Sequence, residues 1–148
     1  MIARFRVATR ATGRRRCVHV HVYDDRERMA RQHCQERGLT YDPDVHGGVV
    51  VRGNWHWPHP DPQPPVVMRL WTGQLTTRTV AHEALHAAAL LAFMDCLPGW
   101  DSRARTLLLG DNEPLAYAVG DIAADVIARL YRIGLLPTPP RPTSTEGP

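Results

Sequence analysis

His82, Glu83 and His86 form a His-Glu-x-x-His pattern inside the stretch 79–91, whose other residues are mostly apolar or good helix formers. On a helix, residues four apart leave the same face about one turn from each other, so the two imidazoles point the same way. Two neutral ring nitrogens so placed can meet one tetrahedral Zn²⁺ at about 2.0–2.1 Å each. Glu83 sits about 100° round from His82 on a 3.6-residue helix, beside the metal rather than on it. A carboxylate there can take a proton from an attacking water and pass it to a leaving group. The alternative is a pair of core histidines with ordinary partners. From Ala84 to Met94 the segment is apolar on every face, which predicts a buried helix, and a buried helix would strand these polar groups without a metal.

A catalytic zinc takes three protein ligands and leaves one position open. Cys96 lies ten residues beyond His86, too far along the helix axis to return to the metal. Glu113 fits better. It opens the next predicted helix, where the helix N-terminus favours an ionised carboxylate. Ala116, three residues on, keeps that helix face small.

Residues 78–86, Arg-Thr-Val-Ala-His-Glu-Ala-Leu-His, followed by Glu113-Pro-Leu-Ala116, resemble a minimal gluzincin metallopeptidase. The layout is similar to that of ImmA/IrrE-type peptidases of bacteria, mobile elements and phages: a small sheet, a strand, the metal helix and a Glu on the next helix. The resemblance covers about residues 66–133. It implies a zincin-like fold, Zn²⁺ held by His82, His86 and Glu113, Glu83 as general base, and a protein or peptide substrate. It also implies that the strand before the metal helix borders the cleft and can pair with an extended peptide. Thermolysin-like relatives carry an Asp four residues after the Glu ligand. Here that position is Tyr117, whose hydroxyl becomes the candidate for orienting a ligand or donating to the oxyanion, with Asp121 and Asp125 as more distant substitutes.

The elements that must position these groups are legible along the chain. Ile2 to Thr9 alternates and reads as a strand, with Ala3, Phe5 and Val7 on one face. A loop over 10–16 contains Gly13 and three successive arginines. In Cys17 to Tyr23, Val18, Val20 and Val22 face one way and His19 and His21 the other; the histidines read as the polar side of the strand or as a second metal pair. Asp24 or Asp25 caps a helix through Arg37, stopped by Gly38, with Met29, Ala30 and Cys34 as its apolar content. Residues 47–52 make a third strand. The Pro-rich stretch 54–65, with Trp55, His56, Trp57 and His59, reads as a stiff loop, either a cover for the core or a cleft wall in which His56 or His59 stabilises an oxyanion. Val66–Trp71 is the next strand, and Thr76 or Thr77 caps the metal helix, which Pro98-Gly99 ends. Asp111 or Asn112 caps a second long helix with Pro114 in its first turn. Leu115, Val119, Ile122, Val126, Leu130 and Ile133 form its core stripe.

These elements predict an α+β fold, one domain over 1–136, with a small, mainly antiparallel sheet of about four strands packed on the metal helix, and a disordered Pro-rich tail over 137–148. No apolar run reaches 18 residues and the N-terminus has no signal-peptide core, so no membrane partner is expected. The three cysteines fit neither a disulfide framework nor a Cys-x-x-Cys site, which points to a reducing cytoplasm. All 18 basic residues are Arg; residues 1–40 hold ten of them against four acids, a net of +6. Scattered arginines on a solvated surface are the simpler reading, and nucleic-acid binding through this half is the less favoured one. The rival to a peptidase from another class is a zinc-stabilised interaction protein, such as a phage or mobile-element accessory, without catalysis.

Overall fold

The structure, a computed structural model, describes residues 1–44, 47–51, 66–96 and 112–137. The loop 54–65, with His56 and His59, lies outside the described residues, as do Pro98-Gly99, Asp111 and the tail beyond Pro137. The elements are β1 (Ala3–Thr9), β2 (Arg16–Tyr23), α1 (Arg26–Arg37), β3 (Gly47–Val51), β4 (Val66–Trp71), a 3-10 turn (Thr72–Gln74), α2 (Thr77–Cys96) and α3 (Glu113–Arg132). The class is α+β, with one four-stranded sheet in the order β1-β2-β4-β3.

The sheet is mixed. β1 pairs antiparallel with β2 and β3 antiparallel with β4, while the central pair β2–β4 is parallel. The parallel pair follows from the chain path: β2 leads into α1, which crosses one face before β3 and β4 return. One expectation is overturned here. The strand preceding the metal helix, β4, is interior and paired on both sides, so it offers no edge to an extended peptide.

Period-two alternation divides the sheet into two faces. On one, the row Phe5–Val20–Met68–Val49 aligns across all four strands and the row Val7–Val18–Val66 across three. α2 and α3 cover this face, and its side chains join Val80, Ala84, Ala87, Ala88, Leu91, Ile122, Val126 and Leu130 in the core. The three alanines of α2 let the helix approach closely, and Leu91 supplies bulk; its truncation to Ala would cost about 2–5 kcal/mol. The opposite face carries the row Arg4–His21–Arg69–Gly48, and α1 packs over its β4–β3 side.

Local signals place the helices. Asp25 caps α1 by accepting from the Arg28 amide at 3.0 Å, and Gly38 ends it at φ 66°, where its amide reaches the Cys34 and Gln35 carbonyls. Thr76 caps α2, its hydroxyl accepting from the Thr79 amide at 3.1 Å. Two expectations about burial need correction. α2 is not enclosed on every side: Val80, Ala84, Ala87, Ala88 and Leu91 face the core, but Leu85 and Ala89 are exposed. Ile133 is not in the α3 stripe; it caps the helix C-terminus and faces outward, and Leu136 takes the buried place instead. Among the described residues no helix is long and apolar enough to cross a membrane.

Candidate metal centre

The first turns of α2 set the site. Thr76 and Thr79 share a hydroxyl contact of 3.0 Å, and Thr79 Oγ1 donates to the Gln74 carbonyl at 2.7 Å. These bonds satisfy the helix start and join it to the 3-10 turn that follows β4. One turn on, His82 and His86 project together from the exposed face. Their rings meet edge to face, with centroids 4.8 Å apart, and the two Nε2 atoms stand 3.2 Å apart.

That separation can be tested against a metal. Bonds of about 2.0–2.1 Å at the tetrahedral angle put two ligand nitrogens about 3.3 Å apart. The separation of the pair therefore matches two corners of a zinc tetrahedron, and imidazole is a suitable donor for that ion. The same distance also permits a hydrogen bond between the rings, one Nε2 donating to the other.

Glu83 points the other way. It lies on the core side of α2, 7% exposed, and its Oε2 has no hydrogen-bond partner among the described residues. Burial pushes its carboxyl above the usual glutamate range, and the neighbouring His82 pulls in the opposite direction. A buried carboxyl oxygen without a partner is costly, by about 1–3 kcal/mol.

Glu113 and Tyr117 lie on α3, not on the helix that carries the histidines. Glu113 is the first residue of α3 and exposed; Tyr117, one turn later, is 65% exposed. Among the described residues no three His, Cys, Asp or Glu side chains gather closely enough to hold a metal. The structure thus brings together His82 and His86, with Glu83 adjoining, and does not gather Glu113 with them. Asp121 is engaged elsewhere: its Oδ2 accepts from the Thr9 hydroxyl at 2.7 Å. His19 and His21 share a sheet face as expected, but they too complete no metal group with other described residues. His21 is buried rather than forming a wet strand face.

A polar cluster on the α1 side of the sheet was not anticipated. Arg69, fully buried in β4, ion-pairs with Glu36 of α1 at 2.5 Å, and His33 of α1 is buried close by. The available signal was Arg69 itself, the one charged residue in the otherwise apolar strand Val-Val-Met-Arg-Leu-Trp.

Compared with known proteins, the chain matches no family model, no curated protein and no solved structure.

Proposed function

We propose that this chain is a zinc-dependent peptidase in which His82 and His86 hold the metal and Glu113 supplies the third ligand. The observation that carries this reading is the His82–His86 pair, two exposed imidazoles whose 3.2 Å Nε2 separation suits one tetrahedral ion. Supporting Glu113 are the packing of α3 against α2 and its place at the α3 N-terminus, which favours an ionised carboxylate. When bound, the zinc ion supplies a Lewis acid that polarises a peptide carbonyl and makes water more acidic.

The remaining work falls to the chain's own side chains. Glu83 adjoins His82; its Oε2 is buried on the core side of α2 without a hydrogen-bond partner among the described residues, and it meets the attacking water once the side chain turns toward the histidines. It accepts that proton and returns it to the leaving amine nitrogen. Tyr117, with its exposed phenol on α3, is the proposed donor to the developing oxyanion.

The test is elemental analysis of protein purified without a chelating tag, combined with a peptide-cleavage screen. The expected result is one zinc per chain, lost in His82→Ala and weakened in Glu113→Ala. Glu83→Gln should keep the zinc and lose cleavage. Wild-type protein that takes up no zinc overturns the reading, and a Glu83→Gln variant with full cleavage overturns the mechanism.

One observation favours a second reading, a zinc-stabilised interaction protein without catalysis. Glu83 faces the core rather than the open side of the histidine pair. On that reading chelation lowers the melting temperature, and Glu83→Gln has no functional cost.

A further inference from the structure

The edge of the sheet formed by β1, opposite the β3 edge, carries features that the metal centre does not use. β1 is the terminal strand, and among the described residues only β2 pairs with it. Its residues 3–9 read Ala-Arg-Phe-Arg-Val-Ala-Thr. Arg4 and Arg6 lie on the α1 side of the sheet, in register with His21 and His19, but both are exposed because α1 packs over the β4–β3 side instead. Phe5 and Val7 face the α3 side.

Beside this edge, between β1 and the C-terminal end of α3, lies a concavity of about 440 Å³. Ile2, Phe5, Ile133 and Leu135 supply its apolar lining, Arg129 supplies charge from α3, Arg4 borders it from the strand, and no acidic residue lines it. Ile2 and Ile133 are 47% and 40% exposed, so the concavity presents aliphatic surface among the described residues. None of Arg4, Arg6 and Arg129 is ion-paired among the described residues.

We infer that the β1 edge binds an extended peptide segment of another protein, one that alternates acidic and apolar residues, by adding it as a fifth strand. Main-chain hydrogen bonds to β1 provide the register, as in other strand additions. Residues of one face of the incoming strand meet Arg4 and Arg6, which repeat every second position, about 6.8 Å apart along an antiparallel strand. Acidic side chains there make favourable cross-strand pairs. Residues of the other face lie over the Phe5, Ile133 and Leu135 surface, where apolar side chains are favoured.

The same pattern disfavours a second copy of this chain as the occupant. Antiparallel pairing of β1 with β1 centred on Phe5 would set Arg4 against Arg6, and like charges across strands repel. Charged residues on an edge strand are a common guard against self-pairing. Nucleic acid would satisfy the arginines but would leave the apolar concavity unfilled.

The test is fluorescence anisotropy with a labelled eight-residue peptide alternating Glu and Val, on the full chain at low salt. The wild type should bind it at least tenfold more tightly than a peptide of the same composition with Glu and Val in separate blocks. Arg4→Glu/Arg6→Glu should weaken that binding at least tenfold and create binding to an alternating Lys and Val peptide. Ile133→Asp, outside the strand, should also weaken binding severalfold, and circular dichroism checks that both variants fold. No preference for the alternating peptide overturns the inference. So does binding that the arginine reversal leaves unchanged, or tighter binding of a single-stranded oligonucleotide through the same arginines.

Discussion

Gly48 of β3 gives the His33 ring of α1 the space that a side chain would occupy: a Cβ at position 48 would stand 2.4 Å from His33 Cε1 and 2.9 Å from both ring nitrogens. The imidazole is buried, so it has little room to move aside. Gly48→Ala is therefore expected to destabilise the fold by about 1–3 kcal/mol through overpacking. Thermal unfolding measures this, and the decisive comparison is a double-mutant cycle. In a His33→Ala background, Gly48→Ala should cost little, because the clashing ring is gone. Equal losses in the two backgrounds would show that the glycine answers to something other than His33.

His33 also makes stability depend on pH. Burial, with help from Arg69 and Arg37, lowers its pKa from 6.5 to about 4, and Glu36 opposes the shift only in part. The folded protein thus holds this histidine neutral while the unfolded chain takes up a proton between pH 6.5 and 4. Stability must then fall as pH falls through that window, by at most about 3 kcal/mol. Above pH 6.5 both states are neutral at this residue and the effect vanishes. Denaturant melts at pH 7, 5.5 and 4.5 should show the decline in wild type and a shallower one in His33→Gln.

Much of the fold can be read from local chemistry, and the misreadings share a cause. Asp25, Gly38 and Thr76 act within a few residues of themselves, so the ends of α1 and the start of α2 were legible. The alternation of Val18, Val20 and Val22 with His19 and His21 correctly divided β2 between two faces. Strand neighbours are another matter, since alternation names a face and not a partner. The interior place of β4, and its parallel pairing with β2, depend on where the chain returns after α1. The orientation of α2 was hidden for a related reason. Alanines and leucines surround it, so its pattern gives no strong inner face, and Glu83 rather than the histidines turned inward. Within the candidate site, the four-residue spacing of His82 and His86 was enough to bring their rings together. The placement of Glu113 depends on how α3 meets α2, which spacing along the chain does not encode.

Asp95, near the end of α2, anchors the β1–β2 hairpin. Its carboxylate, 2% exposed, accepts from Arg16 Nε at 2.9 Å to each oxygen, from the same guanidinium's Nη2, and from the Thr12 hydroxyl at 2.7 Å. Removing one partner of such a pair leaves the other charge poorly solvated, so Asp95→Ala should cost about 3–5 kcal/mol. Thr12→Val removes a single neutral donor to a charged acceptor and should cost less, about 1–3 kcal/mol. Chemical denaturation of the two variants checks the order. An Asp95→Ala protein as stable as wild type would show that the hairpin is held by other contacts.

His82 and His86 separate metal binding from folding. Both imidazoles are exposed, and the core side of α2 is built from Val80, Ala84, Ala87, Ala88 and Leu91, so truncating either histidine removes little packing. In chelator, His82→Ala and His86→Ala should melt close to wild type, within the roughly 0.5 kcal/mol typical of surface changes. Added zinc should divide them. A ligand that binds only the folded chain stabilises it by about 2.7 kcal/mol at a hundred times its Kd, so the wild-type melting temperature should rise with zinc concentration. Neither single-histidine variant should follow it, because each lacks one of the two converging nitrogens. A wild-type transition indifferent to zinc would mean that the 3.2 Å pair is a hydrogen bond between two surface histidines and nothing more.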